Sequence, residues 1–175
     1  PYLDGIWSYC LGGAYAAKGD LISARRELGK IWQITSLNNV NQYRVGPTPV
    51  SSLLKLAALG LSGEIKQASG ALNEAIADYQ AAVELEDQNG YIEPPDWPQP
   101  IRHYLGSALL EAGRAPEAEA IYRQDLAWHQ NNGWALFGLW QSLAAQGKAL
   151  EAEETFKAYK HAWRDADTKL SGSRF

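Results

Sequence analysis

The side chains best suited to metal binding or proton transfer are three histidines, His103, His129 and His161. Asp125 precedes His129 by four residues and Asp165 follows His161 by four, so each pair would share one face of a helix. Neither pair gains the third histidine, cysteine or carboxylate that a convincing metal site needs. We therefore predict exposed helix-face pairs rather than a zinc or iron site, and no bound metal or other cofactor.

The single cysteine, Cys10, cannot form an internal disulfide, which fits an intracellular setting. It is predicted to lie on a helix among apolar neighbours, with no histidine or basic residue placed to activate its thiol. We predict a small packing residue rather than a nucleophile. The sequence also lacks dinucleotide-binding, phosphate-binding, calcium-binding and nucleophile-elbow motifs, so no catalytic residue is predicted.

A third polar group, Glu93, Arg102 and His103, flanks a stretch that is rich in proline. Glu93 and Arg102 could pair across this loop, and the aromatic residue Trp97 suggests that the loop folds back onto the protein. We predict that Glu93, Trp97 and Arg102 form a structural clamp. The alternative is a polar site of Glu93, Arg102 and His103 at the mouth of a groove.

Length and composition exclude several classes of protein. The chain has 175 residues, 46% of them hydrophobic, so it is long enough to bury a core and is not disordered. Sixteen basic and twenty acidic side chains give a net charge of −4, which argues against a nucleic-acid partner. The longest apolar stretch, residues 133–140, is far too short to span a membrane. Because the chain starts at Pro1 and has no methionine, we expect a processed chain or a piece of a longer protein.

A period of 34 residues organises the chain into four units, 5–38, 56–89, 99–132 and 133–166. Glycine occupies position 15 of each unit, alanine position 20 and a bulky residue position 24; the columns are Gly19, Gly70, Gly113 and Gly147, then Ala24, Ala75, Ala118 and Ala152, then Leu28, Tyr79, Tyr122 and Phe156. A glycine that closes a helix and a small residue that lets two helices approach are typical of a helical hairpin. The alternative is an irregular helical bundle with accidental periodicity.

The first-helix residues Leu11, Gly12 and Tyr15, with Leu105, Gly106 and Leu109, match a known signature, although Trp140 replaces the small residue in the last unit. This pattern resembles the tetratricopeptide repeat. The resemblance implies an all-α, right-handed superhelical array of about four antiparallel helix pairs in a single domain. Two irregular inserts, 39–55 and 90–98, and a flexible tail, 167–175, complete the prediction.

Residues 91–139 are also similar to the C-terminal part of long bacterial tetratricopeptide-repeat proteins without a settled activity. In that group, further repeats precede the matching portion. The resemblance implies a bacterial, cytoplasmic protein and a chain that is a C-terminal fragment or a short relative. It transfers no catalytic residue to this sequence.

In the repeat family, defined first-helix positions line a concave groove. The corresponding residues here are aromatic with few charges, and they include Tyr9, His103, Tyr104, Trp134, Phe137 and Gln141. The resemblance therefore implies binding of an apolar or aromatic peptide, or of the inserts themselves. The alternative is that Tyr104, Trp134 and Phe137 are simply core residues between repeats.

Both ends of the array are expected to expose apolar faces, since a terminal unit lacks a neighbour to cover it. These faces would mediate a homodimer or dock to preceding repeats; they are formed by Tyr2, Leu3, Ile6 and Trp7 at one end and by Phe156, Tyr159 and Trp163 at the other.

Two functions are compatible with these features. The first is a non-enzymatic scaffold that binds a protein or peptide in the aromatic groove, without nucleic acid or membrane. The alternative is an enzyme or small-ligand-binding domain whose site lies where the loop 91–102 meets the groove mouth, with Glu93 or His103 transferring a proton.

Overall fold

The computed structural model describes residues 1–90 and 92–174, and the chain divides into two compact units, Pro1–Ile101 and Arg102–Phe175. The described residues form eight α-helices, one short 3-10 helix and one two-stranded ribbon. The first unit contains α1 (Tyr2–Ala17), α2 (Leu21–Thr35), the 3-10 helix (Val40–Gln42), β1 (Arg44–Val45), β2 (Thr48–Pro49), α3 (Val50–Ala68) and α4 (Leu72–Asn89). The second contains α5, which starts at the boundary (Ile101–Glu111), α6 (Ala115–Trp128), α7 (Gly133–Ala145) and α8 (Ala149–Ala162).

Each of the four helix pairs turns at a glycine with a positive backbone angle. The φ values at Gly19, Gly70, Gly113 and Gly147 lie between 72° and 82°, in the left-handed region that side chains with a Cβ rarely adopt. The residue after each glycine donates its N–H to the carbonyl five residues earlier, at 2.8–3.1 Å. This bond is the hallmark of a Schellman ending, so the predicted glycine column is confirmed as the column of helix stops.

Within the middle pairs, a tyrosine of the second helix rests on a glycine of the first. A Cβ at Gly63 would lie 2.7 Å from Tyr79 Cδ1, and a Cβ at Gly106 would lie 2.7 Å from Tyr122 Cε1. In the last pair Trp140 takes the place of the glycine, and its ring packs against Phe156 with centroids 4.9 Å apart. The alanine column lies beside these contacts and is buried in all four pairs, at Ala24, Ala75, Ala118 and Ala152.

Apolar side chains at helical spacing form a core in each unit. In the first unit, α2 and α3 contribute Ala24, Ile31, Leu54 and Leu61, and the 3-10 helix adds Val40. In the second unit, Leu136, Phe137 and Tyr159 form a cluster between α7 and α8; Leu126, Trp140, Phe156, Trp163 and Leu170 pack against it. Removal of this apolar surface from water stabilises both units.

The predicted insert 39–55 is shorter than expected. The 3-10 helix and the β1–β2 ribbon, which pairs Arg44 with Pro49 and Val45 with Thr48, occupy its first part. Helix α3 then begins at Val50, because Val50, Leu53 and Leu54 continue the buried stripe of that helix toward its N-terminus. The all-α class, with helices packed consecutively in neighbouring pairs, is therefore confirmed, with one short ribbon added.

The two predicted end faces differ from each other. On α1, Leu3 and Trp7 are strongly exposed, and Tyr2 and Ile6 are half-buried. On α8 the expectation of an open aromatic face is wrong, because these rings pack against α7: Tyr159 is buried, and Phe156 and Trp163 are half-buried. The homodimer expected through the end faces stays a prediction.

Candidate functional site

Five of the side chains predicted to line a groove lie on α5 and α7 of the second unit. His103 and Tyr104 belong to α5, and Trp134, Phe137 and Gln141 belong to α7. Trp134 and Gln141 are half-buried, whereas His103, Tyr104 and Phe137 are buried. Residues near the C-terminal end of the sequence cover part of this set of side chains.

Residues 167–174, which we call the tail segment, are non-helical, and three of them contact α5 or the apolar cluster of α7 and α8. Ser173 Oγ donates a hydrogen bond to the main-chain carbonyl of His103 at 3.2 Å. The guanidinium of Arg174 stands 5.3 Å from the ring centroid of Tyr104. Leu170 packs against the apolar cluster that contains Phe137. The sequence predicts a flexible tail at 167–175, but Ser173 is only 1% exposed; Phe175 lies outside the described residues.

The beginning of the tail segment is held by Trp163, just after α8. Its indole Nε1 donates a 2.7 Å hydrogen bond to the carbonyl of Thr168. The same ring meets Trp134 edge to face, with centroids 5.5 Å apart, and it lies directly over Gly133. Trp134, which the sequence predicts as a groove residue, therefore helps to position the tail segment through Trp163.

Tyr122 of α6 reaches this surface between two helices. Its ring lies against both Gly106 of α5 and Gly138 of α7, where any Cβ would come within 2.7 Å of a ring carbon. Burial raises the pKa of the phenol well above its usual range; a hydrogen bond with Ser173 acts in the opposite direction and the charge of Asp125 reinforces the rise. The neutral hydroxyl can donate to Ser173 Oγ, which in turn donates to His103.

Beneath this chain of hydrogen bonds, a buried carboxylate links two histidines. His103 Nε2 lies 3.2 Å from Asp125 Oδ2, and His129 Nδ1 lies 3.0 Å from Asp125 Oδ1. Because an ionised carboxylate only accepts, both rings donate to it, and Asn132 Nδ2 donates a third bond at 3.2 Å. The prediction of an exposed Asp125–His129 pair is wrong for Asp125, which is 1% exposed. His129 is exposed as predicted.

Two opposing influences set the proton affinity of Asp125. Burial acts to raise its pKa, since it disfavours the charged form. The hydrogen bonds and charges of His103 and His129 act in the other direction and prevail, so the pKa lies below its ordinary value. Asp125 is consequently an anionic acceptor that orients His103. Among the described residues, no group of three or more His, Cys, Asp and Glu side chains is arranged to hold a metal ion.

In the first unit, the proline-rich loop folds back onto α1. Trp97 is buried and meets the ring of Tyr9 edge to face, with centroids 5.1 Å apart. Tyr9 was predicted to line the groove, and its ring is engaged by the loop residue Trp97. Glu93 is exposed in this unit, whereas Arg102 belongs to the second unit, so their pairing as a clamp stays a prediction. Tyr91, where the predicted loop begins, lies outside the described residues.

Two further features of the first unit depart from the sequence analysis. Cys10 is exposed rather than packed inside. The carboxylate of Glu86 accepts hydrogen bonds from the main-chain N–H of Ile101 at 3.2 and 3.3 Å, and it thereby caps the first residue of α5. Nothing in the local sequence indicates this cap, since Glu86 is on α4, fifteen residues earlier.

The tail residues Leu170, Ser173 and Arg174 are not predicted from the sequence, because residues 167–174 have no helical or strand periodicity to detect. Tyr122 carried a signal, as the bulky residue of position 24. The contact of His103 with Asp125 spans 22 residues, and no sequence pattern predicts it. The four-residue spacing of Asp125 and His129 does predict that this second pair lies close together.

No protein-family model matches the chain, and no curated protein sequence matches it significantly. The resemblance to the tetratricopeptide repeat, and the bacterial, cytoplasmic setting that it implies, therefore stay predictions. Within the described part of the chain, the helices are all too short or too polar to cross a membrane.

Proposed function

We propose that this chain is a non-enzymatic interaction scaffold of the tetratricopeptide-repeat type, and that its second unit binds an extended segment of a partner protein on α5 and α7. The observation that carries the proposal is the tail segment itself. Non-helical chain lies on these helices through a main-chain acceptor, an aromatic face and an apolar cluster. The same three features are available to a segment from another protein.

The chemistry of the surface favours a partner with apolar or aromatic side chains. Phe137 lies within 5.2 Å, centroid to centroid, of both Trp140 and Tyr159; Phe137 and Tyr159 are buried, and the half-buried ring of Trp140 brings this aromatic group to the surface. Rigid aromatic groups supply large contact area with little loss of conformational entropy on binding. Gln141, half-buried on α7, adds a polar group that can hydrogen-bond a peptide backbone.

The placement of His103 also supports a non-enzymatic role. A general base must reach a substrate proton, directly or through one water. His103 is 2% exposed, and its Nε2 faces the carboxylate of Asp125. This arrangement favours a structural role for His103 over proton transfer to a substrate.

A random peptide library displayed on phage, selected against the full chain, tests the proposal. Peptides that bind should lose affinity at least about tenfold when Gln141→Arg places a bulky cation on the α5–α7 surface. Ala120→Arg and Ala158→Arg, at exposed positions of α6 and α8, are the matched controls and should have no effect.

Equal binding by the blocked and control variants would contradict the proposed surface. The selection is repeated with a Leu170→Ala variant, in which the tail segment is loosened. If neither the unmodified chain nor this variant selects a specific peptide, the proposed function is contradicted.

A further inference from the structure

We infer that the tail segment is an intramolecular ligand: it occupies the binding surface of α5 and α7, and a partner segment with the same pattern of side chains displaces it. This inference rests on the proposed function. The pattern is an aliphatic residue, a hydroxyl residue three positions later and a basic residue directly after that, as in Leu170, Ser173 and Arg174.

The contacts of the tail segment are spaced as in a bound peptide. Leu170 enters the apolar cluster, Ser173 is buried, and Arg174 covers the ring of Tyr104. Between and before these anchors, Ser171 and Lys169 are exposed. The segment therefore contacts the surface through a few side chains and leaves the others in water.

The surface has a specific requirement for a hydroxyl. Without Ser173, the phenol of Tyr122 and the carbonyl of His103 would lose their mutual link at a buried position. Buried polar groups without partners are costly, so an apolar residue at this place in a ligand is disfavoured. A serine or threonine restores both hydrogen bonds.

The surface also favours a cation one residue further on. Arg174 lies over the face of Tyr104, whose π-electrons attract a positive charge. The ring of Tyr104 is 5% exposed, so its position is fixed and the cation must lie at one place. Leucine, serine and arginine thus define three subsites of different chemistry.

The tail segment is suited to reversible release. It has no helix or strand of its own, and its contacts include one partly buried aliphatic side chain, the two hydrogen bonds of Ser173, the hydrogen bond from Trp163 to the Thr168 carbonyl and a cation–π contact. Segments with few buried contacts open at much lower free energy than the core of their unit. As part of the same chain, the segment nevertheless competes at a high effective concentration.

The test measures binding of a fluorescein-labelled peptide with the sequence of residues 166–174 to the full chain by fluorescence anisotropy. Leu170→Ala combined with Ser173→Ala weakens the resident segment and should raise the affinity for the peptide by at least about tenfold, because the intramolecular competitor is lost. Lys169→Ala combined with Ser171→Ala alters exposed positions of the same segment and should bind as weakly as the unmodified chain.

Circular dichroism confirms that each variant is folded. If the double variant does not fold, Arg174→Ala serves as the second variant, since it removes the contact with Tyr104 and should give a smaller gain in affinity. A labelled peptide with alanine at the positions of Leu170 and Ser173 should bind none of the proteins.

Equal affinity for the unmodified chain and the released variant would overturn the inference and leave the proposed function standing. Failure of the tail peptide to bind the released variant, while library peptides do bind, would have the same meaning. Failure of both kinds of peptide would remove the proposed function as well. A dimer that dissociates in the double variant would place a second copy's segment on the surface, and that outcome also overturns an intramolecular ligand.

Discussion

The ring of Tyr122 occupies the space where a side chain at Gly106 would begin. A Cβ at Gly106 would lie 2.7 Å from both Cε1 and the hydroxyl oxygen of Tyr122. The absence of this one carbon lets the tyrosine cross between α5 and α7 and deliver its hydroxyl to Ser173. Gly106 and Gly138 together thus leave the space through which Tyr122 reaches the tail segment.

Gly106→Ala should therefore destabilise the second unit by about 1–3 kcal/mol, since the tyrosine is also confined by Gly138 and cannot move aside. Urea unfolding followed by circular dichroism measures the change. Gly29→Ala is the matched control. It lies on α2 with nothing within 4 Å of its Cβ position, so alanine should stabilise that helix by about 0.5–1 kcal/mol. A stabilising Gly106→Ala would contradict the packing described for Tyr122.

Trp97→Ala should destabilise the first unit by about 3 kcal/mol, because the indole is buried against Tyr9 and its removal leaves a cavity under the proline-rich loop. Thermal unfolding by calorimetry measures the effect. Trp128→Ala removes the same side chain from a position that is 61% exposed and should change the free energy of unfolding by less than about 0.5 kcal/mol. If the two variants lose similar amounts of unfolding free energy, the contact of the loop with α1 does not stabilise the first unit.

Asp125→Asn should destabilise the second unit by about 1–3 kcal/mol at neutral pH, since one of the two accepting oxygens becomes an NH2 donor that faces the N–H of His103 or His129. The pKa of Asp125 in the folded chain lies below its ordinary value near 4, because the two histidines outweigh the effect of burial. The carboxylate therefore contributes stability above about pH 4, and this contribution is lost as the pH falls further.

Urea titrations of the unmodified chain and of Asp125→Asn at several pH values test this dependence. The difference in unfolding free energy should be largest at neutral pH and should shrink below about pH 4. A difference that is constant from pH 7 to pH 3 would show that the charge of Asp125 plays no part.

Glu119→Gln tests a second acidic dependence. Hydrogen bonds lower the pKa of Glu119 to about 2: the largest effect comes from Lys148, and Gln146 and Arg123 add to it, against the opposing effect of burial. The carboxylate stabilises the fold above about pH 4.3, and this stabilisation disappears as the pH falls toward 2. Because Lys148 and Arg123 are half-exposed, solvent screens the interaction, and we expect a loss of about 1–2 kcal/mol at neutral pH.

The control for this change is Glu117→Gln. Glu117 pairs with Arg114 at the surface of the same helix, where the ion pair is open to solvent and salt. Its replacement should leave the pH dependence of unfolding almost unchanged. Equal effects at Glu117 and Glu119 in chemical denaturation would contradict the special position of Glu119 between α6 and α8.

Much of the helical framework could be predicted from the sequence, because it depends on local chemistry. The glycine column predicts the four helix ends, since only a residue without a Cβ adopts their left-handed conformation easily. The alanine column predicts the four close helix contacts. The start of α3 at Val50 was predicted six residues too late, because Gly46, Pro47 and Pro49 disguised the apolar stripe that already begins there.

The candidate site depends on contacts between residues far apart in the chain, and for these the sequence carries no periodic signal. Tyr122 meets Ser173 across 51 residues, and Ser173 meets His103 across 70. Whether a polar segment such as 167–174 stays in water or docks depends on the sum of a few weak contacts, each of which exists only when α5, α6 and α7 are already packed.

The sequence by itself therefore determined where helices stop and which residues can lie close together, because backbone strain and side-chain volume are properties of single residues. Only the tertiary structure decided that Asp125 is buried between two histidines, that the rings of α8 are covered, and that the chain's own residues 167–174 lie on α5 and α7. These outcomes follow from which surfaces meet once the helices pack, and the free energy of such meetings belongs to pairs of distant residues.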